Sequence, residues 1–464
     1  MSFFADIDRF SKNTAVIDEQ GTAFTYKELL TSAHSITAEV PQRSLVFLVC
    51  ENSFAAIAAY IGFLRKKIVP VMINASVNFE LFAALKEQYH PAFIFAPCAI
   101  QCTQYKTLLT LDNYVLQQTD YAQDYALHDE LALLLTTSGS TGSPKLVRQS
   151  YKNIESNARS IAQYLNITES DRPIMTLPMS YTYGLSIINS HLLMGACIIT
   201  NNMTLMDKGF WKLLKEQRAT TFGGVPYIYE MLKKLRFARM ELPCLRYLTQ
   251  AGGKLSPELC AEFSDICVQK GMEFIVMYGQ TEATARMSYL PWEKAIEKAG
   301  SIGIAIPDGK FILEDAVGKP ITTPDITGEL IYYGPNVTLG YAQSRSDLAL
   351  GDENGGVLHT GDMAKQDSDG YFYIVGRKKR FLKLFGNRIN LDETENLLKQ
   401  QGCECACAGT DDHMIIYITD ENRHEEVLSF ISSHTGLNRS GFTVKHIDAI
   451  PRNEAGKILY SSLK

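Results

Sequence analysis

Two glycines, five hydroxyl side chains and one lysine crowd into "TSGSTGSPK", residues 137–145. Gly139 and Gly142 free the backbone to aim N–H groups at an anion. Thr137, Ser138, Ser140, Thr141 and Ser143 add hydroxyl donors, and Lys145 adds a positive charge. This is the make-up of a loop that wraps phosphate. It is not the common one: a Walker loop runs directly into Lys-Ser/Thr at a helix start. Here Pro144 precedes Lys145 and Leu146 follows it. The apolar run "ELALLL" before the loop and the helical spacing of "KLVRQSYKNIESNARSIAQYL" after it predict a strand–loop–helix unit.

Further short stretches with chemistry follow in a fixed order: "AGG" (251–253), "YGQTEAT" (278–284), "GEL" (328–330), "HTGDM" (359–363), "GRKKRFLKLFGNRIN" (376–390) and "PRNEAGKI" (451–458). As an ordered set they resemble the acyl-adenylate-forming family of acyl-CoA synthetases, adenylation domains and beetle luciferases. "TAFTYKELL", residues 22–30, is similar to that family's N-terminal signature. The resemblance covers the chain from about residue 14 to the end. It implies an ATP-dependent carboxylic acid–thiol ligase, which makes an acyl-adenylate and then a thioester. ATP, Mg2+ and coenzyme A or a phosphopantetheine arm are the implied cofactors.

The same resemblance implies roles for single residues, each with a physical reason. Thr137, Ser138, Gly139, Ser140, Thr141, Gly142 and Lys145 would hold the leaving pyrophosphate. Thr281 would donate to the α-phosphate, and Glu282 would hold Mg2+, a hard cation that prefers oxygen. Tyr278 offers a flat face to adenine, which Gly252 and Gly253 let come close to the backbone. Asp362 has two oxygens for the two ribose hydroxyls, and Arg377 would sit nearby. Lys457 would stabilise the charge that develops as two anions meet. Lys379 aligns with a hinge. Lys383 and Gly386 align with the loop that enters the site for thioester formation, where Gly386 would leave room for pantetheine.

Some positions depart from the family. In "LPMSYTYGLS" the aromatic–His pair common in relatives is replaced by Ser180 and Tyr181. Tyr181, Tyr183 and Gly184 are the expected substrate pocket. Amino-acid-activating relatives place an Asp in this region, but no acid stands between Asp171 and Asp207, so an α-amino acid is disfavoured. Lys379 stands where many relatives have Asp. No carrier-protein serine motif follows Lys464, so the acyl acceptor is expected from outside, either coenzyme A or a separate acyl carrier protein. Transfer to an amine, oxidation of the adenylate, or a non-catalytic nucleotide-binding regulator are the alternatives.

The elements that must carry these residues are legible as an α/β chain. "SLVFLVC", "IVPVMIN" and "PAFIFAP" read as buried strands, with "FAAIAAYIGFLRK" a helix between the first two. "RPIMTLP", "ACIITNN", "TTFGGVP", "LRYLTQAGG" and "EFIVMYG" resume the pattern. Strands alternating with helices predict parallel, doubly wound sheets, with ligands at the strands' carboxyl ends. "GKFILED", "GELIYYG" and "GYFYIVGR" predict a small antiparallel region. The remainder predicts a mobile α+β lid. The expected boundaries are 1–376 for the large domain, 377–380 for the hinge and 381–464 for the lid.

Bulk composition agrees with a multidomain enzyme. The 464 residues exceed one ordinary core, and 46% hydrophobic with 21% charged residues is ordinary for a globular protein. A net charge of −6 provides no basic footprint for nucleic acid. "MSFFADIDRFSKN" lacks the apolar core of a signal peptide and no run suits a membrane span, so a cytoplasmic enzyme is expected. The ten cysteines show no disulfide spacing. In "CECAC" the alternating Cys403, Cys405 and Cys407 predict packed strand thiols rather than zinc ligands.

Overall fold

The computed structural model describes residues 3–121, 125–136, 145–378, 380–385, 387–410, 412–435, 437–452 and 458–463. Its largest sheet has eight strands. In spatial order these are Gly340–Ala342, Leu146–Ser150, Leu131–Thr136, Val69–Asn74, Leu45–Cys50, Phe93–Pro97, Tyr114–Gln118 and Lys106–Leu111. The middle four pair in parallel, as the alternation of apolar runs and helices predicts. Both flanks are antiparallel, so the sheet is mixed rather than purely parallel. All six residues of Leu45–Cys50 are buried, as befits a strand covered on both faces.

"KLVRQS" departs from the predicted strand–loop–helix unit. Leu146–Ser150 is a strand that returns antiparallel along Leu131–Thr136. All five of its residues are buried, so its apolar positions serve the sheet and not a helix face. The helix begins only at Tyr151, where the Ser150 hydroxyl accepts from Asn153 N and the Asn153 side chain answers Ser150 N. The same device starts the helix Tyr26–Thr37, with Thr25 and Glu28 of "TYKE" as its two halves.

In the second sheet, Thr221–Gly224, Tyr247–Gln250 and Glu273–Tyr278 are parallel, and Ser288–Tyr289 and Ile304–Ala305 continue it antiparallel. "RPIMTLP" contributes only isolated bridges at Pro173 and Ile174. A third, antiparallel sheet runs Pro320–Ile321, Lys310–Glu314, Gly328–Tyr333, Val357–Gln366, Phe372–Arg377.

Beyond it the chain forms the hairpin Phe381–Leu384/Asn387–Asn390 and a sheet of Cys405–Thr410, His413–Ile418 and Phe442–His446. The helices Leu391–Gln400 and His424–Thr435 accompany them. Leu382, Leu398, Ile416, Ile431 and Val444 belong to one cluster drawn entirely from this C-terminal part. Cys403, Cys405 and Cys407 are buried free thiols in that cluster. No helix among the described residues is long and apolar enough to cross a membrane.

Candidate active site

The site is built on the turn after the strand Glu273–Tyr278. A Cβ on Gly279 would stand 1.6 Å from the Ala285 carbonyl oxygen, so the chain passes against itself here and only glycine fits. Thr284 and Ala285 hold φ of 57° and 123°, values that side chains rarely adopt. Asn336, 1% exposed, fastens the turn from beneath. Its Nδ2 donates to the carbonyls of Ala283 (2.7 Å) and Arg286 (3.1 Å), and its own carbonyl accepts from the Thr284 hydroxyl (2.7 Å). Glu282 on this turn meets the strand Gly340–Ala342, while the Arg286 side chain is 2% exposed in the interior.

Glu282 accepts a hydrogen bond from the Tyr341 hydroxyl at 2.6 Å. The Lys145 ammonium lies 4.0 Å from the centre of the same ring. The strand Gly340–Ala342 pairs with Leu146–Ser150, with Tyr341 opposite Val147, which puts Tyr341 beside Lys145. Lys145 and Glu282 are thus brought to two sides of one aromatic side chain.

Asp362 sits on the neighbouring strand Val357–Gln366, directly across from Arg377. It is 4% exposed. The Tyr278 hydroxyl donates to its Oδ2 at 2.5 Å and Gln280 Nε2 donates to the same oxygen at 3.0 Å. Arg377 Nε stands 3.2 Å from Oδ1. Burial lifts the Asp362 carboxyl above its usual range, and Arg377 with the two donors opposes the rise. Burial, with Asp362 alongside, raises the Tyr278 hydroxyl well above its ordinary value, so it remains a donor.

The pocket residues form a third group. Gly252, at φ 84°, faces the Tyr181 hydroxyl, which a Cβ would meet at 2.7 Å; Gly253 faces Pro226 in the same way at 3.1 Å. Burial raises the Tyr181 hydroxyl to about 12. The Tyr183 hydroxyl donates to Thr249 O at 3.0 Å and reaches its Oγ1 at 2.8 Å. A Cβ on Gly184 would come within 2.2 Å of Pro178 O, so this glycine lets the helix Thr182–Leu193 start tight against "LPM".

Of the residues singled out in the sequence, the structure therefore groups Lys145 with Glu282, Tyr278 with Asp362 and Arg377, and Tyr181 with Gly252. Thr137, Ser138, Gly139, Ser140, Thr141, Gly142, Lys379, Gly386 and Lys457 lie outside the described residues. Lys383 is placed by backbone alone, paired with Arg388 in the hairpin. Gln280, Arg286, Asn336 and Tyr341 were not singled out. Arg286 carries the one signal available in advance, a lone charge in the otherwise uncharged "ATARMSYL".

The C-terminal part docks beside this cluster. Arg377 N donates to Asp392 Oδ2 at 3.0 Å. Arg380 reaches Asp392 at 2.5 Å and Glu395 at 2.8 Å, with Tyr460 under its guanidinium at 3.6 Å. Arg377 thus touches Asp362 through its side chain and the helix Leu391–Gln400 through its backbone.

Comparison with known proteins gives the same direction. The family model described as "AMP-binding enzyme" matches residues 3–342. The medium-chain fatty-acid–CoA ligase of Escherichia coli (strain K12) is 25% identical over 96% of this chain and 86% of its own length. The oxalate–CoA ligase of Arabidopsis thaliana is 32% identical, over 60% of this chain and 54% of that protein. O-succinylbenzoate coenzyme A synthetase from Bacillus subtilis, solved with AMP, superposes with a TM-score of 0.81 at 22% identity, covering 100% of this chain and 98% of that one. At that identity the likeness is one of fold.

Proposed function

Because the chain belongs to the AMP-binding enzyme family and is an ATP-dependent acid–thiol ligase, we propose that the Tyr278–Asp362–Arg377 cluster holds the nucleoside and that the turn at Glu282 handles the phosphates. The observation that carries this reading is the buried Asp362 carboxylate, bound to Tyr278 and Gln280 and paired with Arg377, whose side chain is 64% exposed. A vicinal diol can take over from that exposed guanidinium, because a carboxylate keeps lone pairs for several donors. Gly252 and Gly253, which carry no side chain of their own, would let adenine approach the backbone, and Tyr278 would offer it a flat face.

Glu282 fits Mg2+, which is commonly held by one or two carboxylates together with substrate phosphates. The bound cation would draw charge from the α-phosphate as the acid attacks it. The phosphate loop and Lys145 would receive the leaving pyrophosphate, Thr281 would steady the α-phosphate, and Tyr341 touches both Glu282 and Lys145. Lys457, from the C-terminal segment, would join the two anions. Residues 377–380 would act as the hinge between 1–376 and 381–464, and Lys383 and Gly386 would come in with the pantetheine. The thiol belongs to coenzyme A or to a separate acyl carrier protein, and a pairwise thioester assay with both decides between them.

Asp362→Ala is expected to raise the KM for ATP about 10- to 150-fold, the equivalent of one or two lost charged hydrogen bonds, while the KM for the acid stays near normal. ATP–pyrophosphate exchange with a panel of carboxylic acids measures both. An unchanged KM for ATP, with a loss for the acid instead, would show that Asp362 faces something other than ribose.

A further inference from the structure

Tyr341 meets two opposite charges at once. Its hydroxyl donates to Glu282 Oε1 at 2.6 Å, and the Lys145 ammonium lies 4.0 Å from the centre of its ring. Among the described residues, neither Lys145 nor Glu282 forms an ion pair, with each other or with a third group. Tyr341 is 37% exposed, so packing in a core does not account for it. A tyrosine has what this place uses: a polar tip for the carboxylate and a face that attracts a cation.

Its backbone is fixed to both neighbours. The strand Gly340–Ala342 runs antiparallel to Leu146–Ser150, with Ala342 opposite Leu146, the residue after Lys145. Arg148, 0% exposed, donates to Tyr341 O at 3.0 Å and to Leu339 O at 3.1 Å. Leu339 N returns a bond to Arg148 O at 2.9 Å. Thr338 N donates to Glu282 O at 3.0 Å, which ties the active-site turn to the same segment. Residues 338–342 are thus bonded to the strand that follows Lys145 and to the turn that carries Glu282.

Unlike charges that reach the same ring would reach each other if the ring were gone. A direct Lys145–Glu282 pair would occupy the ammonium meant for phosphate and the carboxylate meant for Mg2+. Binding MgATP would then begin by breaking it. Tyr341 satisfies each group with a neutral partner, which gives way to a stronger one.

We propose that Tyr341 is a positioning residue that holds Lys145 and Glu282 apart and so keeps both available to MgATP. The inference rests on the phosphate reading of this turn and adds the group that prevents its two charges from neutralising each other.

The test measures MgATP binding to the full-length enzyme by titration calorimetry, with no acid present. Tyr341→Leu is expected to weaken binding about 5-fold, the upper worth of an exposed ion pair that the ligand must break. Tyr341→Phe keeps the ring and should stay close to wild type. The deciding comparison is a double-mutant cycle. In a Lys145→Gln or a Glu282→Gln background no direct pair can form, so Tyr341→Leu should there cost little. A merely structural tyrosine would cost the same in every background. Melting curves report folding; if the leucine variant does not fold, Tyr341→Val, which suits a strand, takes its place. Wild-type binding by Tyr341→Leu, an equal loss in all three backgrounds, or a phenylalanine variant as weak as the leucine one overturns the inference. Wild-type binding by both Lys145→Gln and Glu282→Gln overturns the phosphate reading itself.

Discussion

Gly279→Ala is expected to abolish adenylation and to destabilise the fold by about 2–3 kcal/mol. The added methyl would meet Ala285 O at 1.6 Å, Ala285 C at 2.6 Å and Arg286 Cα at 2.8 Å. All three are backbone atoms, so no side chain can swing aside. The turn must open, and it carries Thr281 and Glu282 and leads into Arg286. Asn336 holds that turn through three hydrogen bonds, so opening it also strands buried polar groups. Thermal unfolding and pyrophosphate exchange on one preparation measure both effects. Wild-type melting together with wild-type exchange would show that the turn has room to yield.

Lys457→Ala is expected to lower the rate of adenylate formation by about 100- to 1,000-fold, the scale seen when one preorganised donor to a developing charge is lost. The reacting carboxylate and the α-phosphate repel, and "PRNEAGKI" supplies the ammonium that would offset the repulsion. ATP binding should survive, because the Tyr278–Asp362–Arg377 cluster is complete without this segment. Nucleotide titration beside single-turnover adenylation separates the two. Near-normal exchange in the variant would remove Lys457 from the chemistry.

Asp362, Tyr278 and Glu282 could be found in the sequence because each stands inside a short local pattern. Asn336 could not: it acts on Ala283, 53 residues away, and nothing in "GPNVTLG" announces that contact. Tyr341 was hidden in the same way, since its place beside Lys145 follows from the pairing of two strands distant in the chain. The strands Leu45–Cys50, Val69–Asn74 and Phe93–Pro97 were legible from apolar runs bounded by turn residues. The hairpin partner Leu146–Ser150 was not, because its polar Arg148, Gln149 and Ser150 mimic a helix face. Those side chains are buried through specific bonds: Arg148, 0% exposed, donates to the carbonyls of Leu339, Tyr341 and Gly351 and pairs with Glu353. Tertiary partners overrode local pattern there.

The stretch from Glu282 to Arg286 behaves as a short lever. Its fulcrum is the contact of Gly279 with Ala285, and Asn336 keeps it from bending. Five residues with two positive backbone φ angles leave little slack to absorb a shift at one end. A shift of the backbone at Glu282 is therefore expected to be felt at Arg286, and the reverse. Whatever factor acid binding contributes to metal affinity, metal binding must return to acid affinity, since linkage is reciprocal. Glu282 and the buried Arg286 are in this sense two ends of one rigid piece.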